Sequence, residues 1–233
     1  MNMITSNILS SCTVSNTVCK CFDKLTKEET ELVDNNSVTV NFNKGEFICK
    51  QGTFASHVMF VEEGLAKIYI EGKNDNLILK IIPEGNLVGL TSIFEGNTIF
   101  QYSSTAYINS LIKLIDINVF RKLTKTNAEF ASEVINILTE NNLQIYGRFF
   151  CLARKQSYGR LADIILCLSE RIYKSYNFEL LLTRKDLAEL TGMSTENVIR
   201  MLKKFKDEGL IDIKGKQFTV NKPETLMKIS ENG

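Results

Sequence analysis

The stretch Leu182–Leu210, LTRKDLAELTGMSTENVIRMLKKFKDEGL, constrains this chain more than any other. Thr183 is suited to cap a helix, and Asp186 three residues on supports its first turn. That helix runs to about Leu190 and has Leu187, Ala188 and Leu190 to bury. Gly192 permits a tight turn between Thr191 and Met193. Ser194 then caps a second helix over Thr195–Glu208, whose inward face is Val198, Leu202 and Phe205 at spacings of four and three. Gly209 ends it. Two short helices joined by a glycine turn, with the small Ala188 where they cross, form a helix-turn-helix pattern.

The second helix leaves Thr195, Glu196, Asn197, Ile199, Arg200 and Lys203 facing outward. Arginine donates two hydrogen bonds to a guanine edge, and glutamate accepts one from cytosine. Lys204 and Lys206 suit phosphates. Leu210–Val220 reads as two strands about Lys214-Gly215-Lys216, a basic hairpin tip that places Lys216 like a wing against a nucleic-acid backbone. Thr183, Arg184 and Ser194, at the starts of the two helices, complete the candidate contact set. The alternatives are a helical hairpin with a solvated charged face and a winged-helix interaction module. Glycine turn, cap, exposed Glu/Arg pair and basic hairpin occur together and in order, which favours DNA. Charge agrees: from Arg154 onward there are 15 Lys+Arg against 11 Asp+Glu, a net of +4, whereas the whole chain is at +1.

Upstream, residues 37–120 carry short segments rich in β-branched and aromatic residues. They are Ser37–Phe42, Phe47–Cys49, His57–Glu62, Leu65–Ile70, Leu77–Ile82, Asn86–Leu90, Gln101–Ala106 and Ser110–Asp116, punctuated by glycine-bearing turns. Regular short strands of this kind predict a sandwich or jelly-roll barrel. Residues 117–153 read as helix, with Ala131, Val134, Leu138, Asn141, Ile145, Arg148 and Leu152 at spacings of three and four. This seam fits either a helix packed on its own barrel or a dimer helix with Asn141 or Arg148 fixing register. Ser157–Ser175 predicts an amphipathic helix, and Phe178–Leu182 a short strand. The C-terminal part is expected to end in the hairpin.

Several functions are excluded or disfavoured. His57 is the one histidine, so a histidine-rich metal site of the cupin type is not available within one chain. No Gly-x-Ser-x-Gly, P-loop or catalytic carboxylate pair is present, so no enzyme is expected. A haem ligand role for His57 lacks a second axial candidate. No apolar run reaches the roughly 20 residues of a membrane span. No secretory signal pattern is evident, and a cytoplasmic protein without membrane contact is expected.

The order of parts resembles the Crp/Fnr family of bacterial transcription regulators. FNKGEFICKQGTFASHVMFVEEGLAKIY (Phe42–Tyr69) and TRKDLAELTGMSTENVIRMLKKFKDEGLI (Thr183–Ile211) carry the resemblance, which extends from about Leu25 onward. It implies an α+β fold: an N-terminal cyclic-nucleotide-binding-type jelly roll, a long dimerisation helix and a C-terminal winged helix-turn-helix. The expected divisions are residues 1–24 as a cysteine-containing segment, 25–126 as the effector barrel, 127–153 as the dimer helix and 154–233 as the DNA-binding domain. The resemblance further implies a homodimer, with the seam Val134, Leu138, Asn141, Ile145, Arg148 and Leu152. It also implies a palindromic duplex operator with TGA-type half-sites, read by Glu196 and Arg200, and RNA polymerase as a further partner.

The family's cyclic-nucleotide binders use a Gly-Glu pair, then Arg-Ser or Arg-Thr about ten residues on. Here the matching stretch is VGLTSIFEGNTIFQYSSTA. The expected effector pocket is Val88, Gly89, Leu90, Thr91, Ser92, Gln101, Tyr102 and Ser103. Leu90 stands where the glutamate would be, and no arginine occurs between Gly89 and Ala106. A cyclic phosphate would lose a charge-assisted bond worth about 1.5–3 kcal/mol, so cyclic AMP is not the expected effector. Backbone N–H groups near Thr91 and Ser92 remain candidates for holding an anion.

Cys12, Cys19 and Cys21 cluster before the barrel, as in the family's iron–sulfur sensors. Their C-x6-C-x-C spacing differs, and the sensors' fourth cysteine falls near Lys113 here. A [4Fe–4S] cluster takes four thiolates, so a metal site is disfavoured, with Cys12, Cys19 and Cys21 as weak candidates and iron–sulfur sensing as an alternative function. A thiol redox switch through Cys19 and Cys21 is the further alternative, and it requires low thiol pKa values. Cys151 and Cys167 read as core.

Overall fold

The computed structural model describes residues 13–15, 18–73 and 75–232, so Cys12 lies outside the described residues. The chain divides into two compact units. One is Ser15–Thr139; the other is Glu140–Gly233 together with the chain up to Val14.

The first unit holds eight strands: β1 (Ser37–Phe42), β2 (Phe47–Cys49), β3 (His57–Glu63), β4 (Leu65–Ile70), β5 (Leu77–Pro83), β6 (Leu87–Val88), β7 (Ser103–Ala106) and β8 (Ser110–Asp116). They form two four-stranded antiparallel sheets, ordered β1-β8-β3-β6 and β2-β7-β4-β5. That order is the double-wound signature of a jelly roll. β-Branched residues fit the pleated surfaces, and Val58, Val61, Ile68, Ile112 and Ile115 fill the space between them. The segment expected as a strand at Asn86–Leu90 pairs only over Leu87–Val88, then turns into a single 3-10 turn, Leu90–Ser92.

Among the described residues, two helices and the start of a third complete this unit. α1 (Lys27–Asn35), which the strand and helix periodicities did not reveal, begins with a reciprocal capping box between Thr26 and Glu29. α2 (Ile117–Thr126) is capped by Asp116, which accepts from the amides of Asn118 and Val119. α3 (Ala128–Arg154) follows. The stretch expected as one helix is therefore two. The break falls at Asn127, whose Oδ1 accepts the amide of Phe130 at 2.9 Å and so starts a new helix. Phe120 of α2 and Phe130 of α3 meet edge to face at 5.1 Å, both without solvent exposure. Burying each ring stabilises the fold by about 1.5–3 kcal/mol.

The second unit contains the end of α3, then α4 (Ser157–Leu168), β9 (Asn177–Glu179), α5 (Arg184–Thr191), α6 (Thr195–Asp207), β10 (Ile211–Lys214), β11 (Gln217–Val220) and α7 (Pro223–Asn232). The helix expected over Ser157–Ser175 is α-helical only to Leu168, then passes into a π turn, Ser169–Tyr173. The strands form one sheet ordered β10-β11-β9. Leu161, Ile165, Leu187, Leu190, Val198, Leu202, Phe205 and Phe218 are all buried in this unit. The chain does not end at the hairpin: Pro223, pre-set for a first helical turn, opens α7, which buries Leu226.

Candidate nucleic-acid interface

Helices α5 and α6 are built as their caps dictate. Thr183 Oγ1 accepts the amide of Asp186 at 3.1 Å, and Asp186 Oδ2 accepts from the amide of Thr183 at 2.9 Å. α5 ends at Gly192, left-handed at φ 62°, a conformation that would strain a residue with a Cβ. Ser194 Oγ then accepts the amide of Asn197 at 3.3 Å and starts α6. Val198, Leu202 and Phe205 face inward with almost no exposure. That burial fixes the opposite face outward: Glu196, Arg200 and Lys203 are exposed, and Ile199 is 52 % exposed. Thr195 and Asn197 are half-buried at the start of this face. The guanidinium of Arg200 donates to Asn197 Oδ1 at 2.8 Å, one turn back.

The cations divide into two groups. Arg200 and Lys203 stand on the outer face. Lys204 Nζ lies 4.5 Å from the centre of the Tyr158 ring and 3.8 Å from Glu208, whose carboxylate accepts from the Tyr158 hydroxyl. Lys206 Nζ lies 3.3 Å from Asp212 and donates to the carbonyl of Ile213. These two lysines, expected from sequence to suit phosphates, are exposed and also make surface ion pairs within their own unit. Lys216, at the hairpin tip, is highly exposed and 3.5 Å from Glu179. The hydroxyls of Thr183 and Ser194 serve as helix caps, and Arg184 is half-buried beside them.

In the barrel, the expected effector residues adjoin one turn. Val88, Leu90 and Ser92 are buried and Thr91 is exposed. Gly89 adopts φ 95° and donates its amide to the Tyr102 hydroxyl at 2.8 Å. The amide of Ser92 donates to the Gly89 carbonyl at 3.0 Å, so it is already used, contrary to the expected anion-holding role. Ser103 Oγ donates to Glu71 and accepts the amide of Gln51, while the Gln101 amide donates to Asn97. The carbonyls of Ser92 and Ile93 accept from Arg121 of α2 at 2.8 and 2.9 Å. Sequence reasoning missed Arg121, which lies outside the motif stretch. Arg121 thus grips carbonyls.

Of the residues expected as the dimer seam, Val134 and Arg148 are packed within the chain. Val134 is buried in the barrel unit's core with Phe130, and Leu138 packs partly against that core. Arg148 is 5 % exposed and donates to the Leu190 carbonyl at the end of α5. Asn141 and Leu152 are half-buried; of the six, only Ile145 is exposed. The exposed apolar side chains of α3 are instead Ile135, Leu143, Ile145, Tyr146, Phe149 and Phe150, with Phe149 at 73 %. A helix that is apolar on two faces carries two seams of three-and-four spacing, and spacing alone does not say which faces inward.

Cys19, Cys21, Cys49 and Cys151 are free thiols, and Cys167 is disulfide-bonded. Among the described residues no three His, Cys, Asp or Glu side chains converge as metal ligands. Cys19 and Cys21 are a close pair, Cys49 is buried in β2, and Lys113 is ion-paired with Asp34 at 2.6 Å. His57 Nδ1 is 2.8 Å from Ser56 Oγ.

A jelly roll, a long helix and a winged helix-turn-helix with an exposed second helix define a transcription regulator with a separate sensor domain. Residues 159–229 match the Crp-like helix-turn-helix domain, and residues 39–127 match the cyclic nucleotide-binding domain. The chain belongs to the Crp/Fnr family of transcription regulators. Among curated relatives, it is 25% identical over 182 residues to electron transport regulator A of Shewanella oneidensis, covering 76% of this chain and 72% of that protein. It is 24% identical over 192 residues to the fumarate and nitrate reduction regulatory protein of Escherichia coli K12, covering 80% and 76%. Among solved structures, a putative Crp/Fnr regulator from Eubacterium rectale superposes with a TM-score of 0.77 at 18% identity, covering 91% of this chain and 97% of that one. FixK2 from Bradyrhizobium japonicum gives 0.74 at 18%, covering 83% and 96%.

Proposed function

We propose that this regulator binds, as a homodimer, a two-fold symmetric duplex operator with TGA-type half-sites. α6 enters the major groove, with Glu196 accepting from cytosine and Arg200 donating to guanine. Lys203, Lys216 and Arg184 contact phosphates. The observation that carries this reading is the outward face of α6, where Arg200 is pre-oriented by Asn197 at 2.8 Å while Val198, Leu202 and Phe205 point the other way. Two copies join through the exposed stripe of Tyr146 and Phe149 on α3, which a lone chain would leave in water. RNA polymerase is the further partner, and the chain acts in the cytoplasm without catalysis of its own. No helix among the described residues is long and apolar enough to cross a membrane.

The signal is not a cyclic nucleotide. No arginine occurs between Gly89 and Ala106, Arg121 donates to the carbonyls of Ser92 and Ile93, and the Gly89 and Ser92 amides are engaged by Tyr102 and by the Gly89 carbonyl. Selection of bound duplexes from a random pool tests the operator reading: enrichment of an inverted TGA repeat is expected. A pool without any symmetric enrichment refutes it. Calorimetric titration with cyclic AMP is expected to give no binding heat.

A further inference from the structure

Cys19 and Cys21 flank Lys20 where the chain enters a 3-10 turn, Cys21–Lys24. Their Sγ atoms are 2.8 Å apart, inside the van der Waals contact of two sulfurs; a covalent bond would be about 2.05 Å. The backbone holds both in place. The amide of Cys19 donates to the Gly85 carbonyl at 2.7 Å, and that of Asp23 to the Lys20 carbonyl at 3.1 Å. Cys19 is partly exposed, whereas Cys21 has no exposed surface and lies in the barrel unit's core. An accessible thiol with a buried partner in contact is the arrangement in which one sulfur is attacked from solvent and the other resolves it.

We propose that Cys19 and Cys21 form a dithiol oxidation site that hydrogen peroxide closes to an intramolecular disulfide. The Cys19 thiolate attacks one peroxide oxygen; the S–O bond forms, the O–O bond breaks and hydroxide leaves. The Cys21 sulfur then attacks the sulfenic sulfur of Cys19. The S–S bond forms, the S–O bond breaks, and water departs with the Cys21 proton. The hydroxide takes up the proton that Cys19 lost, so two thiols and one peroxide give one disulfide and two waters. The hydrogen bond from Cys21 holds the Cys19 thiol below its ordinary range and, with burial, pushes Cys21 up. That places the reactive thiolate on the accessible partner. Burial raises Cys49 to about 12 and Cys151 to about 11, so both are silent controls.

The pair is wired to the start of α3. Phe22, next to Cys21, packs edge to face on Phe60 at 5.3 Å and lies 6.2 Å from Phe130 of α3. The Lys24 carbonyl accepts from Asn127 Nδ2 at 3.0 Å, and Asn127 is the cap of α3. Drawing the two sulfurs to bonding distance turns this backbone and disturbs both contacts. What such a shift would signal rests on the DNA-binding reading above; formation of the bond does not.

Peptide mapping of the full chain tests the site. Lys20 is the first Lys or Arg in the sequence, so trypsin cuts between the two cysteines and only a disulfide keeps Met1–Lys20 joined to Cys21–Lys24. Reduced protein is given one equivalent of hydrogen peroxide under argon, its remaining thiols are blocked, and it is digested without reductant. The joined pair is expected, lost on reduction and in Cys19→Ser, with Cys49 and Cys151 recovered as blocked thiols. Recovery of Cys19 and Cys21 as separately blocked thiols overturns the proposal. So does a link that survives Cys19→Ser, since Cys12 would then supply the partner. Amide exchange at residues 130–132 is expected to quicken in the oxidised chain, and unchanged exchange removes the coupling to α3. Because the link is read by mass, failure of operator binding would count against the DNA reading and not against this site.

Discussion

The Tyr102 hydroxyl accepts the backbone N–H of Gly89 at 2.8 Å, closing the turn in which family members that bind cyclic nucleotides hold their ligand. Burial raises the Tyr102 phenol to about 12, so it stays protonated at any working pH. Tyr102→Phe removes the acceptor and leaves the N–H unpaired. A loss of about 1 kcal/mol in denaturant unfolding is expected. An unchanged midpoint would mean that water replaces the hydroxyl without penalty.

The α6 lysines and Arg200 should separate in DNA-binding measurements. Arg200→Ala is expected to weaken binding by about 1–3 kcal/mol and to relax one base position. Lys203→Ala should weaken all duplexes alike and lower the salt slope by about one. Lys204, held between Tyr158 and Glu208, should affect melting temperature more than affinity. Mobility shifts at two salt concentrations distinguish these outcomes. Identical behaviour of Arg200→Ala and Lys203→Ala would show that Arg200 reads no base.

Tyr146→Asp with Phe149→Asp should convert the chain to a monomer by sedimentation equilibrium, because each charge would be buried without a partner at the interface. Asn141→Ala, half-buried and off the exposed stripe, should leave the oligomeric state unchanged. The reverse pattern would restore the seam expected from sequence.

Arg148 is buried and donates to the Leu190 carbonyl, and burial lowers its pKa to about 10. Arg148→Ala should cost about 1.5–3 kcal/mol for the lost charged hydrogen bond, with a further loss from the space left behind. Thermal melting measures it. Retained stability would mean that α5 needs no tie to α3.

Cys49 carries a pH signature. Its folded pKa, about 12, lies above the ordinary thiol value because of burial. The unfolded chain loses this proton first as pH rises, so stability is full below pH ~8.5 and falls between there and about 12, by at most about 1.4 kcal/mol per pH unit. Cys49→Ala should flatten that part of the alkaline unfolding curve. An equally steep curve would assign the slope to other groups.

The helix-turn-helix was legible because its signals are local. Thr183, Gly192 and Ser194 act within four residues of themselves, and the spacing of Val198, Leu202 and Phe205 assigns one face of one helix. The eight strand positions were legible for the same reason, as was the hairpin about Gly215. Two helices were missed although each carried a local signal, the Thr26/Glu29 capping box for α1 and Pro223 for α7. The inward face of α3 was not legible, because Val134 and Arg148 pack inside the chain while a second apolar stripe with the same three-and-four spacing faces out.

Sequence alone determined where the barrel strands lie, where α6 begins and which of its side chains face away from the core, because caps, turns and periodicity act over single turns. Only the tertiary structure decided that Lys204 meets Tyr158 and Lys206 meets Asp212, that Tyr102 occupies the Gly89 amide, that Arg121 grips the neighbouring carbonyls and that Cys19 meets Cys21. Those outcomes depend on which distant surfaces come within a few ångströms of each other, and burial and hydrogen-bond pairing across such contacts leave no periodic trace along the chain.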